Sequence, residues 1–384
     1  MKTRLALTLT ILGLLTLHTR FQAASVFEGF GAVTSGAASS PDGYSVYRVT
    51  SLADSGAGTL RDAVSQGKRH IVFDVAGTIT LASDLNIYNS YVTIDGASAP
   101  APGITIRQPN SRNTTIYARS SAGVHDIVVQ HLRVDGQANG AHTNRGDIFG
   151  MDGQDGPVYN VVIDHVTGTA SSDGVFDLWG RVYNVTISWN LITDTVTALH
   201  FSRAENVREN VSIHHNVFAR NNERQVRIKY DSRLDFVNNV VWGWSWIDGG
   251  GRGLDIDTTD SADPTLNVVN NYYYRANGSA DSAFEYSGGT GSAKVYMSGN
   301  VVPAGETNTA GTMSTPMAVP AAARVTTHPA ASLGNVVVPC VGMKYPTAAE
   351  QSLLNQVATA IGGSGGPCPT GEVPTAPTNV RIVN

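Results

Sequence analysis

Asn210-Val-Ser-Ile-His-His-Asn216 is a seven-residue run in which apolar Val211 and Ile213 alternate with polar neighbours and an asparagine closes the unit. The same frame, x-φ-x-φ-x-x-Asn with φ apolar, recurs in Asn184-Val-Thr-Ile-Ser-Trp-Asn190, Arg233-Leu-Asp-Phe-Val-Asn-Asn239, Thr265-Leu-Asn-Val-Val-Asn-Asn271 and Lys294-Val-Tyr-Met-Ser-Gly-Asn300. Asn160-Val-Val-Ile-Asp-His-Val166 shares it except at its last residue. The starts of these six units, in chain order, lie 24, 26, 23, 32 and 29 residues apart. Alternation at period two reads as a short strand, and Gly, Asn, Asp and Ser between the units read as turns. A repeat of this length is one turn of a solenoid. Earlier segments of the same style, Ile71-Val-Phe-Asp74, Tyr91-Val-Thr-Ile-Asp-Gly96, Ile104-Thr-Ile-Arg107 and Asp126 to Val134, bring the expected count to nine or ten rungs.

The period is too short for a propeller blade and lacks the leucine spacing of a leucine-rich repeat. What remains is an all-β chain, a right-handed parallel β-helix. Asparagines recurring at one place in each rung can bond amide to amide up the coil, as in cross-β stacks; the plainer alternative is that they merely occupy turns. A solenoid must cover its ends. Short capping helices are expected at Thr59 to Ser65 and at Thr347 to Ile361, with an Ala-, Thr- and Pro-rich irregular stretch over 301–336.

The 384 residues are 41% hydrophobic and only 15% charged, which excludes a disordered tail, and two cysteines exclude a small disulfide scaffold. Lys2 and Arg4 precede an apolar run from Leu5 to Leu17, and Ala23-Ala24 offers a cleavage site. Residues 1–24 therefore read as a signal peptide for secretion to the periplasm or medium. Its loss removes Lys2, Arg4 and Arg20 and no acidic residue, so the formal charge goes from -5 to about -8. No basic block tracks phosphates and no stretch reaches membrane-spanning length, so neither nucleic acid nor membrane is an expected partner. In an oxidising compartment Cys340 and Cys368 are expected to pair, two free thiols being the alternative. The expected division is the signal peptide 1–24, a catalytic β-helix over 25–345, a C-terminal helix and disulfide-closed tail over 346–370, and a linker or truncated module over 371–384.

Residues one period apart stand side by side on adjacent rungs, about 5 Å apart. Asp147, Asp173, His200 and Arg224 are separated by 26, 27 and 24 residues and are expected to form one vertical file. Asp177 lies close enough to Asp173 to join its site, and Arg227 and Lys229 alternate beyond Arg224. Three carboxylates so placed repel one another unless a divalent cation lies between them. Oxygen-only ligands favour Ca2+ over zinc. A set of solvated turn aspartates is the bland alternative. Asp152 and Asp155 read as turn residues, and His165, His214 and His215 as structural. Trp242, Trp244 and Trp246 read either as a platform for sugar rings or as packing under a loop.

The ordered set Gly146-Asp147-Ile-Phe, Val162-Ile-Asp-His165, Asp173-Gly-Val-Phe-Asp177, Val185-Thr-Ile-Ser-Trp-Asn190, Ile213-His-His-Asn216 and Arg224-Gln-Val-Arg-Ile-Lys229 resembles the pectate lyases of polysaccharide lyase family 1. The likeness runs from about Tyr91 to Asn239. It implies a pectate-lyase-like solenoid, Ca2+ dependence and β-elimination on polygalacturonate, in an enzyme able to act as a monomer. Carried over by position, Asp147, Asp173 and Asp177 match the metal-binding carboxylates and Arg224 the catalytic arginine. Lys229 stands where a substrate-binding arginine is usual, and Arg227 and His200 complete the expected substrate-binding set. Nearby Ca2+, Arg227 and Lys229 are all expected, by charge, to favour the neutral form of Arg224 that a base requires.

Departures are visible too. Val226 replaces a usual proline, Val162 a usual tryptophan, and a lysine common after the Ser-Trp-Asn rung is missing, with Thr197 near its place and His200 or Arg203 the nearest polar substitutes. Three rivals share the architecture. A metal-independent pectin lyase lacks the carboxylate cluster, a galacturonan hydrolase needs an acid and base pair spaced for water, and a noncatalytic carbohydrate-binding β-helix needs no arginine beside a cation site.

Overall fold

In the computed structural model, the described residues are 27–109, 114–136, 146–203, 210–246, 250–259, 263–276, 281–287, 289, 291–306, 311–366 and 368, the side chains of 202 and 203 excepted. The signal-peptide reading of 1–24 and the tail reading of 371–384 lie outside them.

Every strand pairing is parallel, and the chain coils through three faces per turn. The first face carries residues 149–153, 174–180 and the strands Thr197–Arg203, Arg227–Ile228, Leu254–Asp257 and Phe284–Ser287. The second carries the repeats read from the sequence: residues 158–164 and 182–188, then Asn210–His214, Arg233–Val237, Thr265–Val269 and Lys294–Ser298. The third is a separate sheet of eight short strands from Gly77–Thr80 to Tyr272–Tyr274. The coil thus makes about eight full turns, not nine or ten. Ile104–Arg107 lies on the third face of the same turn as Val92–Asp95, so those two counted segments share one rung, and Lys294–Ser298 has no partner strand on the third face.

Alternation within each rung decides what is inside. Val185, Ile187, Val211, Ile213, Leu234, Phe236, Leu266 and Val268 are fully buried in one continuous core with Phe176, Leu199 and Ile228 from the first face. A one-residue slip would turn that whole set outward, so hydrophobic burial fixes the register.

The corner between the second and third faces is made by a single residue in the left-handed region at each turn: His131, His165, Trp189, His215, Asn238 and Asn270, all with φ between 51° and 56°. From Trp189 onward the next residue is the repeated asparagine, and it points inward. Asn190 Nδ2 donates to Asn216 Oδ1 at 3.0 Å, Asn216 to Asn239 at 2.9 Å, Asn239 to Asn271 at 3.1 Å and Asn271 to Asn300 at 3.0 Å. This is the amide ladder, and it ends at the one unit that breaks the frame, where Asn190 Oδ1 accepts from the Val166 N–H. Because consecutive corners stack, their side chains do too. His131 lies over His165 at 4.7 Å, and Trp189 over His215 at 4.4 Å.

The helix Leu60–Val64, capped by Thr59, closes the N-terminal end, with Leu60, Ala63 and Val64 in the main core. The second helix, Ala348–Ala360, begins in a capping box between Thr347 and Glu350. It does not close the C-terminal end. Trp189, Leu191, Val217, Val240 and Trp242 form an apolar stripe along the corner and outer side of the third face, and Leu353, Leu354, Val357 and Ala358 pack on it with Leu333 and Val337. Glu350 also takes a two-pronged bond from Arg133 at 2.7 and 2.6 Å, anchoring the helix to the coil. Cys340 and Cys368 are joined in a disulfide that closes the segment containing this helix. The tryptophans pack and do not form a platform in the cleft. Trp244 is buried in the main core, while Trp242 and Trp246 contact each other at 5.5 Å.

Candidate active site

Side chains that alternate away from the core of the first face project into solvent, and adjacent rungs line them up. Tyr117, Gly150, Asp177, His200, Arg227, Asp255 and Glu285 are successive partners in register. The single file expected from spacing therefore resolves into two. Asp177, and not Asp173, is level with His200, and Arg224 lies three residues ahead of Arg227, its carbonyl accepting from the Ala198 N–H at 2.9 Å. The difference arises because the turn from Asp177 to its register partner His200 is 23 residues, against 27 for the turns before and after it.

Both files open into one cleft of about 620 Å³, lined by Asp147, Asp173, Asp177, His200 and Arg224 together with Tyr117, Gln154 and Trp179. The five residues picked out in the sequence are thus neighbours. Asp147 precedes the strand Phe149–Asp164, and its Oδ1 accepts from the Gly174 N–H at 2.8 Å. A Cβ at position 174 would stand 2.7 Å from that same oxygen, so only glycine lets the carboxylate approach the backbone of the next rung. Burial pushes the Asp147 carboxyl well above the usual carboxylate range, and the charges of Asp177 and Asp173 push it further. Three mutually repelling oxygen donors, one of them deep in the cleft, fit a hard divalent cation of the Ca2+ class.

His200 is held neutral. Burial first, then Arg224, Arg227 and Lys229, lower its pKa from 6.5 to about 3. It can offer hydrogen bonds to a ligand but no positive charge. Thr197, in place of the missing lysine, is buried. Arg224 keeps a partly exposed side chain at the cleft, with Glu223 at a long 3.7 Å.

Arg227 and Lys229 differ from expectation. Arg227 pairs with Asp255 at 3.2 Å and donates to Asp257, and Lys229 Nζ lies 3.2 Å from the same Asp257 carboxylate. Those acids offset the two cations. Bonds from Thr259, Lys229 and Arg227 overcome the burial of Asp257 and bring its pKa from 3.8 to about 2. Sequence reading missed this clamp, although Leu254-Asp-Ile-Asp257 carries its signal, two acids alternating on a strand just after the basic pair.

Tyr117, Gln154 and Trp179 were missed as well, because no recurring spacing marks them. Asp152 accepts from the Tyr117 hydroxyl at 3.1 Å and is not a turn residue. With Tyr88, Arg119 and Asp155 it lines a second, smaller depression of about 370 Å³. His165 is structural, its Nδ1 bonded to Asp164.

No family model matches the chain. Among curated proteins it is 31% identical over 259 residues to "Probable pectate lyase C" of Aspergillus flavus, covering 67% of this chain and 55% of that one. It is 33% identical over 252 residues to "Probable pectate lyase C" of Emericella nidulans, covering 64% and 53%. The chain spans about half the length of these curated relatives. Among solved structures it resembles jun a 1, the major allergen from cedar pollen, with a TM-score of 0.67 at 18% identity over 83% of this chain and 93% of that one. Pectate lyase C from Erwinia chrysanthemi, solved with Ca2+, gives 0.52 at 15% identity over 85% and 100%. A pectate lyase from Bacillus sp. N165 in complex with trigalacturonate gives 0.52 at 15% identity over 83% and 98%. At these identities the structural likeness carries the fold.

Proposed function

We propose that this chain is a member of the pectate lyase family and an exported enzyme cleaving polygalacturonate by Ca2+-assisted β-elimination. The observation that carries the reading is the meeting of Asp147, Asp173 and Asp177 with Arg224 in one cleft. The rival architectures do not call for that combination. A Ca2+ ion held by the three aspartates would bind a uronate carboxylate of the substrate and make the adjacent C5 proton more acidic.

The chain's own residues supply the rest. Arg224 takes the C5 proton; the C5–H electron pair becomes the C4–C5 double bond, and the glycosidic oxygen leaves C4 with the bonding pair. Glu223 lies at a long 3.7 Å from that guanidinium. Neutral His200, level with Asp177, offers a hydrogen bond to the sugar without competing for its charge. Tyr117 and Trp179 give the cleft aromatic surface against which a pyranose ring packs. Arg227 and Lys229, held by Asp255 and Asp257, present fixed N–H donors beside the cleft. With the leader removed, a chain with a formal charge of about -8 gains little long-range attraction for a polyanion, so recognition falls to this local constellation. In the same reading residues 1–24 are the export leader, 25–345 the catalytic coil and 346–370 its C-terminal brace.

The test is the ultraviolet absorbance of the unsaturated uronate end, followed on polygalacturonate with Ca2+ and again with chelator. A rise that needs Ca2+ supports the reading. A rise only on methylated pectin with chelator present replaces it with a pectin lyase, and substrate binding without any rise replaces it with a carbohydrate-binding protein.

A further inference from the structure

We propose that Glu28, His214 and His215 form a second metal site, remote from the aspartate cleft and suited to a transition-metal ion of the zinc class. Residues 27–34 lie across the second face of the coil. The Phe30 N–H donates to Ser212 Oγ at 3.0 Å, the Gly31 N–H to Thr186 Oγ1 at 2.9 Å, and the Thr186 hydroxyl to the Glu28 carbonyl at 2.9 Å. A Cβ at position 31 would stand 2.4 Å from the Val161 carbonyl oxygen, so this segment is seated directly on the strands. The seating carries Glu28 to the end of the rung, where His214 and His215 follow one another across the corner.

One nitrogen from each ring and one Glu28 carboxylate oxygen lie within 4.8 Å of one another. Both histidines are 1% exposed, and their Nδ1 atoms are 2.9 Å apart in a hydrogen bond that a bound ion would replace. Two nitrogens bound to one tetrahedral zinc ion are about 3.3 Å apart, so the pair is within a few tenths of an ångström of chelating distance. The carboxylate closes the set by a modest side-chain movement. Two imidazoles and a carboxylate, with water in a fourth position, are a recurrent zinc donor set. Imidazole suits zinc, copper and nickel, whereas the oxygen-only cleft suits Ca2+, so the two sites sort their ions by chemistry.

The surroundings are those of a supported site. Both oxygens of the Glu28 carboxylate accept from Thr326, one from its N–H and one from its hydroxyl, which orients the carboxylate from behind. The His215 ring is fixed between Trp189 at 4.4 Å and His328 at 5.5 Å. An ion here fastens the segment entering the coil and the segment around Thr326 to the same rung, and its role is structural.

The experiment uses the tag-free chain, stripped with chelator and then saturated with Ca2+ to fill the aspartate cleft. Zn2+ is titrated calorimetrically, bound metal is counted after gel filtration, and Co2+ is added separately to read the visible absorption of tetrahedral coordination. The expected result is one equivalent of Zn2+, a melting temperature raised by several degrees and a tetrahedral Co2+ band. Glu28→Gln and His215→Gln should each weaken Zn2+ binding at least tenfold. If His215→Gln fails to fold for want of its stacking contact, Glu28→Gln decides alone. No binding at 0.1 mM Zn2+ (about 5.5 kcal/mol of affinity), displacement of Zn2+ by Ca2+, or equal affinity in the variants overturns the proposal. None of these readouts depends on lyase activity.

Discussion

Arg227 donates to Asp257 across adjacent rungs, 30 residues apart in the chain, and the same carboxylate holds Lys229. A residue absent from the family motif therefore sets the direction of two residues inside it. Asp257→Asn should raise KM for polygalacturonate several-fold while leaving kcat nearer its original value, because it releases donors beside the cleft and spares Arg224. Steady-state kinetics separate the two. An unchanged KM means that Arg227 and Lys229 do not contact substrate. The substitution should also cost stability, since it leaves two largely buried cations short of a partner. With a folded pKa near 2, below the ordinary 3.8, Asp257 contributes stability that is complete above the ordinary value and is lost as pH falls from about 4 toward 2.

Arg224 stands on the turn before the strand Arg227–Ile228 with its side chain partly exposed, so its removal disturbs no packing. Arg224→Ala should lower kcat by at least about a hundredfold, the scale expected for loss of a proton-transfer group. The melting temperature should stay within a degree or two. Residual activity close to wild type would reassign the base.

Asp173→Asn removes one of three oxygen donors without changing side-chain size. The Ca2+ concentration for half-maximal activity should rise by about tenfold or more, with kcat partly recovered at saturating Ca2+. A Ca2+ titration that superimposes on wild type would place the ion elsewhere.

Asn216 sits mid-ladder, accepting from Asn190 and donating to Asn239, Ile187 and His214. Asn216→Ala strands several buried backbone and amide groups and should cost about 3–5 kcal/mol in equilibrium unfolding. Asn210→Ala, on the outward side of the same rung, should cost much less. Equal costs would mean that the ladder is incidental.

His131 is pushed from 6.5 to about 4, chiefly by burial and then by the stacked His165. A folded pKa below the unfolded one means that protonation favours unfolding. The fold should therefore lose stability as pH falls from about 6.5 to 4, by up to about 3 kcal/mol from this group. His131→Gln should flatten that part of the profile, as thermal melts across the range would show.

Much of the coil was legible because burial on the second face has period two and each rung ends in the same inward asparagine. The corners were not, because a left-handed residue such as Trp189 or His215 carries no local mark; the corner is imposed by the two strands it joins. Asp147, Asp173, Asp177, His200 and Arg224 could be gathered in advance because rungs repeat, although unequal turn lengths displaced them from one file into two. Tyr117, Trp179 and Asp257 were not gathered, since each acts through a neighbour that only the folded register supplies. The second helix was placed correctly along the chain and wrongly in space. Its apolar residues show that it must cover something, and only the outward Trp189, Leu191 and Val217 show what.

That covering has a consequence for biosynthesis. A polypeptide made from its N-terminus completes rungs long before residues 333–361 emerge, and until then the apolar stripe of the third face has no cover. A chain interrupted after the last rung would display a linear adhesive strip and would associate with its own kind. Cover for that stripe therefore arrives only with residues 333–361, and exporting the chain unfolded and coiling it only afterwards would avoid the hazard.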